Sequence, residues 1–211
     1  MKVVEIFKSI DGEGKRAGLP TTFIRLYGCN LNCSYCDTRY GCENNNYNVM
    51  TIDEILKEVK KLGCKSITIT GGEPLIQHGI DNLIYRLLGN DCWVNIETNG
   101  TIQPHIYHTQ LFYTVDYKCP SSGMEDKMCV SLETLKDKDC LKFVVGSIED
   151  MNRALEILDC NDIEAQVYFS PVFGNIEPYE IVDFILKHKM NDVKVQLQMH
   201  KIIWEPDRKG V

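Results

Sequence analysis

The sequence predicts an α/β fold in the form of a partial, open βα barrel of about six βα units. β-Prone segments alternate with helix-like segments along the chain, which favours a parallel sheet. Polar stretches with Gly or Pro follow the strands repeatedly. The 211 residues are too few for a closed eightfold barrel, which typically needs ~250 residues. Because no linker or repeat interrupts the pattern, residues 1–211 are expected to form a single domain.

Eight segments have the composition of strands. They are rich in β-branched or aromatic residues and end in polar turns, and they are Val3–Ile6, Thr21–Leu26, Ser66–Thr70, Trp93–Thr98, Phe112–Tyr117, Leu141–Val145, Glu164–Phe169 and Val193–Leu197.

Four segments are predicted as helices. Thr51 and Glu54 form a capping-box pattern that begins a helix through Lys61. The other three are Ile80–Leu88, a helix capped by Ser147 that runs to Leu158, and Pro178–His188.

The overall composition narrows the class of partner. The net charge is −7, so a nucleic-acid partner bound through its phosphates is not expected. No apolar run approaches the ~20 residues of a membrane span, and Met1–Glu5 has no signal-peptide pattern. We therefore expect a cytoplasmic protein with neither a nucleic-acid nor a membrane partner.

Three of the ten cysteines lie within eight residues, at Cys29, Cys33 and Cys36. This spacing lets one short loop wrap a metal centre. Three thiolates can hold three irons of an iron–sulfur cluster and leave a fourth iron open to a small molecule. A structural zinc site is an alternative, but its fourth ligand would have to be distant, since Cys42 is the only other thiol nearby. A disulfide framework fits poorly with a chain that lacks a secretion signal.

Polar motifs follow two of the predicted strands, where parallel α/β folds place their sites. Gly71–Pro74 (GGEP) lets the backbone approach a ligand, with Glu73 as an acceptor, or is simply a tight turn. Glu97–Gly100 (ETNG) puts an acid at a strand end, and its spacing alone favours an Asn-Gly turn with a solvated Glu97.

Arg25 lies in an apolar strand, so it is expected to be partly buried and to need an anion. A salt bridge to Glu13 or another acid would satisfy it, and so would a substrate carboxylate held in a bidentate way. Thr38 is either a loop or cap residue or an oxygen ligand for Mg²⁺, which keeps waters and substrate oxygens in its shell. The C-terminal segment around His200 is apolar and expected to dock, which would bring Val211 near other elements.

The CxxxCxxC spacing resembles the signature of the radical S-adenosylmethionine (SAM) superfamily, whose fold is a partial barrel. In that superfamily the open iron binds SAM, and an electron from the cluster splits the sulfonium to give a 5′-deoxyadenosyl radical that abstracts hydrogen. Tyr35 fits the aromatic residue often placed against the adenine. Gly71–Pro74 resembles the second motif, which contacts the methionine amino group, and Glu97–Gly100 would lie along the ribose.

Six segments together resemble the 7-carboxy-7-deazaguanine synthase family of queuosine and 7-deazapurine biosynthesis. They extend over the whole chain, and they are Asp11–Gly14, Gly28–Leu31 with Cys36–Thr38, Thr70–Leu75, Lys118–Gly123, Tyr168–Val172 and Gln196–Lys201. The resemblance implies a lyase that converts 6-carboxy-5,6,7,8-tetrahydropterin to 7-carboxy-7-deazaguanine. Hydrogen is taken from C6, ammonia leaves, SAM is regenerated and Mg²⁺ is needed. It also implies a flavodoxin or ferredoxin as electron donor and a homodimer. The alternatives are a radical SAM activating enzyme for a protein partner and a non-catalytic zinc-binding module.

The resemblance further implies roles for individual residues. Cys29, Cys33 and Cys36 would bind a [4Fe-4S] cluster, and Thr38 would bind Mg²⁺. The residues expected around SAM are Tyr35, Cys36, Asp37, Gly72, Glu73, Asp116, Tyr117, Lys118, Ser121, Ser170, Pro171, Val172 and Phe173. Those expected around the pterin are Ile10, Asp11, Gly12, Glu13, Arg25, Thr70, His200 and the carboxylate of Val211. Asp11 stands where the family often has Gln.

Overall fold

Nine strands form one continuous sheet in a computed structural model that describes residues 1–211. The strands are β1 (Lys2–Ile10), β2 (Pro20–Leu26), β3 (Asn48–Val49), β4 (Ser66–Gly71), β5 (Trp93–Thr98), β6 (Leu111–Lys118), β7 (Cys140–Val145), β8 (Gln166–Pro171) and β9 (Val193–Val195). Their order in the sheet is β3-β1-β2-β4-β5-β6-β7-β8-β9. β1 is antiparallel to β2 and β3, whereas β2 and β4 to β9 are mutually parallel. The sheet stays open, which confirms the predicted partial barrel.

Five α-helices accompany the sheet: α1 (Ile52–Leu62), α2 (Ile80–Leu88), α3 (Ile148–Cys160), α4 (Pro178–Lys187) and α5 (Met199–Ile203). The predicted capping box of α1 is present, because Thr51 Oγ1 accepts from the Glu54 N–H at 3.3 Å and Glu54 Oε2 accepts from the Thr51 N–H at 2.7 Å. Ser147 caps α3 through the Asp150 N–H at 3.2 Å. None of the helices is long and apolar enough to cross a membrane.

The four predicted helices are all present, and no α-helix joins β5 to β6 or β6 to β7; the second connection holds only the short 3₁₀ helices Pro120–Ser122, Glu125–Lys127 and Leu132–Thr134. The departures from the predicted elements lie elsewhere. β1 extends to Ile10 rather than Ile6, and the short strand β3 was not predicted. Two predicted strands are shifted, since β8 continues to Pro171 in register with β7, and β9 ends at Val195. The helix α5 was not predicted.

The two faces of the sheet differ in polarity because side chains alternate along each strand. One face carries fully buried residues such as Ile69, Ile96 and Phe143, which belong to the main hydrophobic core. Burying each such side chain stabilises the fold by about 1.5–3 kcal/mol. Six consecutive parallel strands each present at least one polar residue on the opposite face that lines a cavity, and these residues include Arg25, Thr70, Glu97, Asp116, Lys142 and Ser170. Stability therefore comes from the apolar face, and the polar face is left for a site.

Candidate functional site

A cavity of about 420 Å³ lies against the polar face of the sheet, at the carboxyl ends of the parallel strands. This volume is within the usual range for small-molecule sites. The cysteine loop, the loop after β1 and the C-terminal segment complete the wall. Its position is the one that the sequence predicts for a parallel α/β sheet.

The three clustered cysteines all line this cavity as free thiols. Cys29 Sγ accepts from the Leu31 N–H at 3.4 Å and from Asn99 Nδ2 at 3.5 Å. Hydrogen bonds from N–H donors to the ligating sulfurs are also typical of iron–sulfur sites. No three His, Cys, Asp or Glu side chains meet closely enough to hold one metal ion. A cluster distributes its thiolates over separate irons, so the cysteine loop fits a cluster better than a single ion.

Two glycines of the GGEP motif bring β4 against the start of the cysteine loop. The Gly72 N–H donates to Leu26 O at 3.1 Å, and the Glu73 N–H donates to Gly28 O at 2.9 Å. A Cβ on Gly72 would lie 2.1 Å from Gly28 O, and one on Gly71, which has φ +143°, would lie 2.0 Å from Leu26 O. Only glycine permits this approach, so the motif fixes the entry to the cysteine loop.

The other end of the cysteine loop rests on the turn after β6. The Ser34 N–H donates to Ser122 O at 3.1 Å, and the Ser34 hydroxyl donates to Ser121 O at 2.6 Å. Arg39 Nη2 donates to Cys33 O at 3.1 Å and to Ser34 O at 3.3 Å. The loop is therefore held by hydrogen bonds that leave its thiols free to bind metal.

Glu73 does not line the cavity. Its carboxylate is fully buried and accepts from the Leu75 N–H at 2.9 Å, the Thr98 hydroxyl at 2.8 Å and the Asn99 N–H at 2.7 Å. Burial raises the pKa of the Glu73 carboxyl, and these three hydrogen bonds oppose the rise. The Glu73 side chain links the GGEP and ETNG motifs, and Gly71 and Gly72 are the residues of the GGEP motif that line the cavity.

Two other residues expected around SAM also lie outside the cavity wall. Tyr117 alternates with Asp116 and Lys118, so its ring packs instead on the core residue Phe143, with centroids 5.1 Å apart. Ser121 donates both its N–H and its hydroxyl to the buried Asp150. The remaining residues expected around SAM line the cavity, namely Tyr35, Cys36, Asp37, Gly72, Asp116, Lys118, Ser170, Pro171, Val172 and Phe173.

The hydroxyl of Tyr35 is buried in the cavity wall without a hydrogen-bond partner. Burial raises its pKa far above the usual value, so it stays protonated. Buried hydroxyls nearly always have a partner in a complete site. The unpaired hydroxyl of Tyr35, the residue before Cys36, therefore fits a site in which a bound organic group supplies the missing hydrogen-bond partner.

Every residue expected around the pterin lines the cavity, namely Ile10, Asp11, Gly12, Glu13, Arg25, Thr70, His200 and Val211. The acid paired with Arg25 is Glu5 rather than Glu13. Arg25 Nε donates to Glu5 Oε1 at 2.7 Å, and the Tyr40 hydroxyl donates to the same oxygen at 3.0 Å. The terminal Nη atoms of Arg25 make no hydrogen bond within the protein, so they are free to bind an anion.

The side chain of Asp11 is already occupied. It is 1% exposed, accepts from the Thr68 hydroxyl at 2.9 Å and lies 3.7 Å from Arg16. Burial raises the pKa of this carboxyl, and Arg16 opposes the rise. Only the backbone around Asp11 is left to meet a ligand.

Thr38 lies on the cavity wall with its hydroxyl 3.8 Å from Cys36 Sγ. It precedes the 3₁₀ helix Arg39–Gly41 but makes no side-chain capping bond to it. The capping role is therefore not observed, and the oxygen remains available to a ligand in the cavity.

Lys142 and Gln198 are cavity residues that the sequence reasoning missed. Lys142 pairs with Glu13 and lies 2.9 Å from Asp116 Oδ1, and Gln198 Nε2 donates to Glu13 Oε1 at 2.9 Å. A lysine inside the apolar strand Cys140–Val145 was the available signal, since strand alternation turns it to the polar face.

We expect Glu97 to make the stability of the fold depend on pH. Burial raises the pKa of this carboxyl to about 7, Asp11 and Glu13 add to the shift, and Lys142 opposes it. Because the folded protein binds this proton more tightly than the unfolded chain, the resulting stabilisation is complete below the ordinary pKa of 4.5 and is lost as the pH rises through about 7.

We expect Glu97→Gln to be more stable than the unsubstituted protein by about 3 kcal/mol at pH ~8, and equally stable at pH ~4. Urea unfolding across this range tests it, and a difference independent of pH would contradict it.

The comparisons with known proteins agree with this site. The family description "Radical SAM superfamily" matches residues 23–188, so the fold and the cysteine loop define a radical SAM protein. A 7-carboxy-7-deazaguanine synthase of Clostridium acetobutylicum is 46% identical, over 100% of this chain and 99% of that one. The synthase of Chlorobaculum tepidum is 36% identical, over 100% and 97%. The chain belongs to the 7-carboxy-7-deazaguanine synthase family.

A solved structure supports the fold. The crystal structure of QueE from Escherichia coli is similar to this chain with a TM-score of 0.74 at 24% identity, over 93% of each chain. At this identity the likeness extends to the architecture alone.

Proposed function

We propose that the chain converts 6-carboxy-5,6,7,8-tetrahydropterin to 7-carboxy-7-deazaguanine with loss of ammonia. The observation that carries the proposal is one cavity that joins the three thiols of the cysteine loop to Arg25, whose terminal nitrogens have no partner in the protein. The product and ammonia together contain every atom of the substrate. The reaction therefore needs no net oxidant, which suits a site that returns SAM unchanged.

The cysteine loop would hold a [4Fe-4S] cluster through Cys29, Cys33 and Cys36, with SAM against the adjoining wall. When bound, the cluster and SAM supply a 5′-deoxyadenosyl radical that takes hydrogen from C6. Tyr35 and Gly72 would contact SAM, and the remaining SAM contacts would come from Cys36, Asp37, Asp116, Lys118, Ser170, Pro171, Val172 and Phe173.

The chain's own work is to orient the pterin and exclude water. Glu5 fixes one edge of Arg25, so the other edge can bind the pterin carboxylate in a bidentate way. The Glu13 carboxylate is an acceptor for the amino and ring N–H groups of the pterin. Residues 206–211 line the cavity, so the C-terminal segment would shield the reacting carbon.

Further elements of the proposal follow from family membership. Thr38 would give Mg²⁺ its protein oxygen, and the substrate carboxylate and waters would complete the shell. A flavodoxin or ferredoxin would supply the electron. We propose a homodimer of chains that each act as one domain, residues 1–211, in the cytoplasm.

An anaerobic reaction followed by mass spectrometry tests the function. Protein with a reconstituted cluster, SAM, Mg²⁺ and a strong reductant is expected to form 7-carboxy-7-deazaguanine from the carboxytetrahydropterin. Deoxyadenosine without that product would show that the substrate is a different molecule, such as a partner protein. Zinc in place of iron and sulfide, with neither compound formed, would refute a radical enzyme altogether.

A further inference from the structure

Lys142 is the most enclosed cation of the cavity. It lies on β7, and 8% of its side chain is exposed. Its ammonium group pairs with Glu13 from the loop after β1 and with Asp116 on β6, at 2.9 Å. Burial lowers the pKa of Lys142, but the carboxylates of Asp116, Glu13 and Glu97 raise it well above the usual value. Lys142 therefore stays charged between Glu13, which is expected at the pterin, and Asp116, which is expected at SAM.

Glu13 is held from two sides. Lys142 contacts Oε2, and Gln198 Nε2 donates to Oε1 at 2.9 Å. The Gly14 N–H donates to Gln196 Oε1, and the Gly12 backbone accepts from the Met199 N–H at 3.5 Å. The C-terminal segment thus fixes the loop, while Lys142 is the only cation in contact with the Glu13 carboxylate.

A buried ammonium group is unfavourable unless it is paired, and such pairs often add little to stability. Ordering a carboxylate before a ligand arrives reduces the free-energy cost of binding. The second cation near this cluster, Lys118, lies 3.0 Å from Asp116 and does not contact Glu13. Both lysines therefore pair with Asp116, and only Lys142 contacts Glu13 as well.

We propose that Lys142 is a positioning residue that holds the Glu13 carboxylate in place for the pterin. The inference rests on the proposed function, because Glu13 matters only if it meets that ligand. Lys142 acts through Glu13, so its effect on pterin affinity must disappear when Glu13 can no longer act as a carboxylate. A merely structural lysine would lower affinity whether or not Glu13 is intact.

A double-mutant cycle tests this dependence. Anaerobic equilibrium dialysis measures binding of 6-carboxy-5,6,7,8-tetrahydropterin to cluster-loaded protein with SAM and no reductant. Lys142→Met and Glu13→Gln are each expected to weaken binding by roughly 30-fold or more. The double variant is expected to bind within about threefold of the weaker single variant, and losses that multiply would overturn the proposal.

Lys118→Met is the matched control, since it removes a buried cation from the same cluster. Its effect on pterin affinity is expected to multiply with that of Glu13→Gln. If Lys142→Met does not fold, Lys142→Gln replaces it in the cycle, with the same two outcomes. Failure of the unsubstituted protein to bind the pterin would overturn the proposed function together with this inference. Binding with multiplying losses would overturn the inference alone.

Discussion

Cys33→Ala is expected to hold no [4Fe-4S] cluster and to have no measurable activity. Cys33 is the middle thiol of the cysteine loop and is 8% exposed, and its removal leaves two of the three local ligands. The loop is fixed by the Glu73 N–H bond to Gly28 O, the Ser34 hydroxyl bond to Ser121 O and the Arg39 guanidinium bond to Cys33 O. None of these bonds uses the Cys33 thiol, so the loop should keep its shape without it. Loss of the cluster would then reflect the missing ligand.

Iron and acid-labile sulfide analysis of the reconstituted protein is the measurement, with about four of each expected per chain for the unsubstituted protein. Cys92→Ala is the matched control, because Cys92 is also buried, at 5% exposed, but does not line the cavity. It should keep its iron. Full iron content or activity in Cys33→Ala would refute the assignment of the cysteine loop.

Arg25→Ala is expected to weaken pterin binding by about 100-fold while the cluster and SAM affinity stay unchanged. Removal of a partner from a buried charge pair typically costs about 2–5 kcal/mol in binding. The substitution removes the guanidinium that would meet the substrate carboxylate and leaves Glu5 with only the Tyr40 hydroxyl. The unpaired Glu5 would also repel an incoming carboxylate.

Comparison of two ligands separates this role from a general loss of structure. Tetrahydropterin without the 6-carboxyl should bind the variant and the unsubstituted protein equally well. Arg86→Ala, which removes an exposed arginine paired with Asp53 outside the cavity, should bind both ligands normally. Equal weakening of both ligands by Arg25→Ala would exclude carboxylate recognition by this residue.

Local sequence patterns predicted the features that depend on residues close to one another in the sequence. The α1 capping box joins residues three apart, and the apolar neighbours of Arg25 within its strand predicted its partial burial, which the structure shows with 13% of the side chain exposed. The cysteine spacing likewise located the loop that faces the cavity.

The features that the sequence did not predict depend on contacts between residues that are far apart in the sequence. Lys142 meets Glu13 across 129 positions, and Gln198 meets it across 185. Glu73 and Ser121 resemble ligand contacts in sequence, but neighbouring elements occupy their side chains. A single sequence cannot show which partner takes a polar group once several strand ends converge.

The most direct test of the proposed chemistry is turnover of carboxytetrahydropterin carrying deuterium at C6. We expect 7-carboxy-7-deazaguanine to form and deuterium to be recovered in SAM, because the hydrogen taken from C6 passes through the SAM-derived group before SAM is regenerated. Product formed without deuterium in SAM would contradict hydrogen abstraction at C6. No product from protein with a full cluster would contradict the assigned substrate.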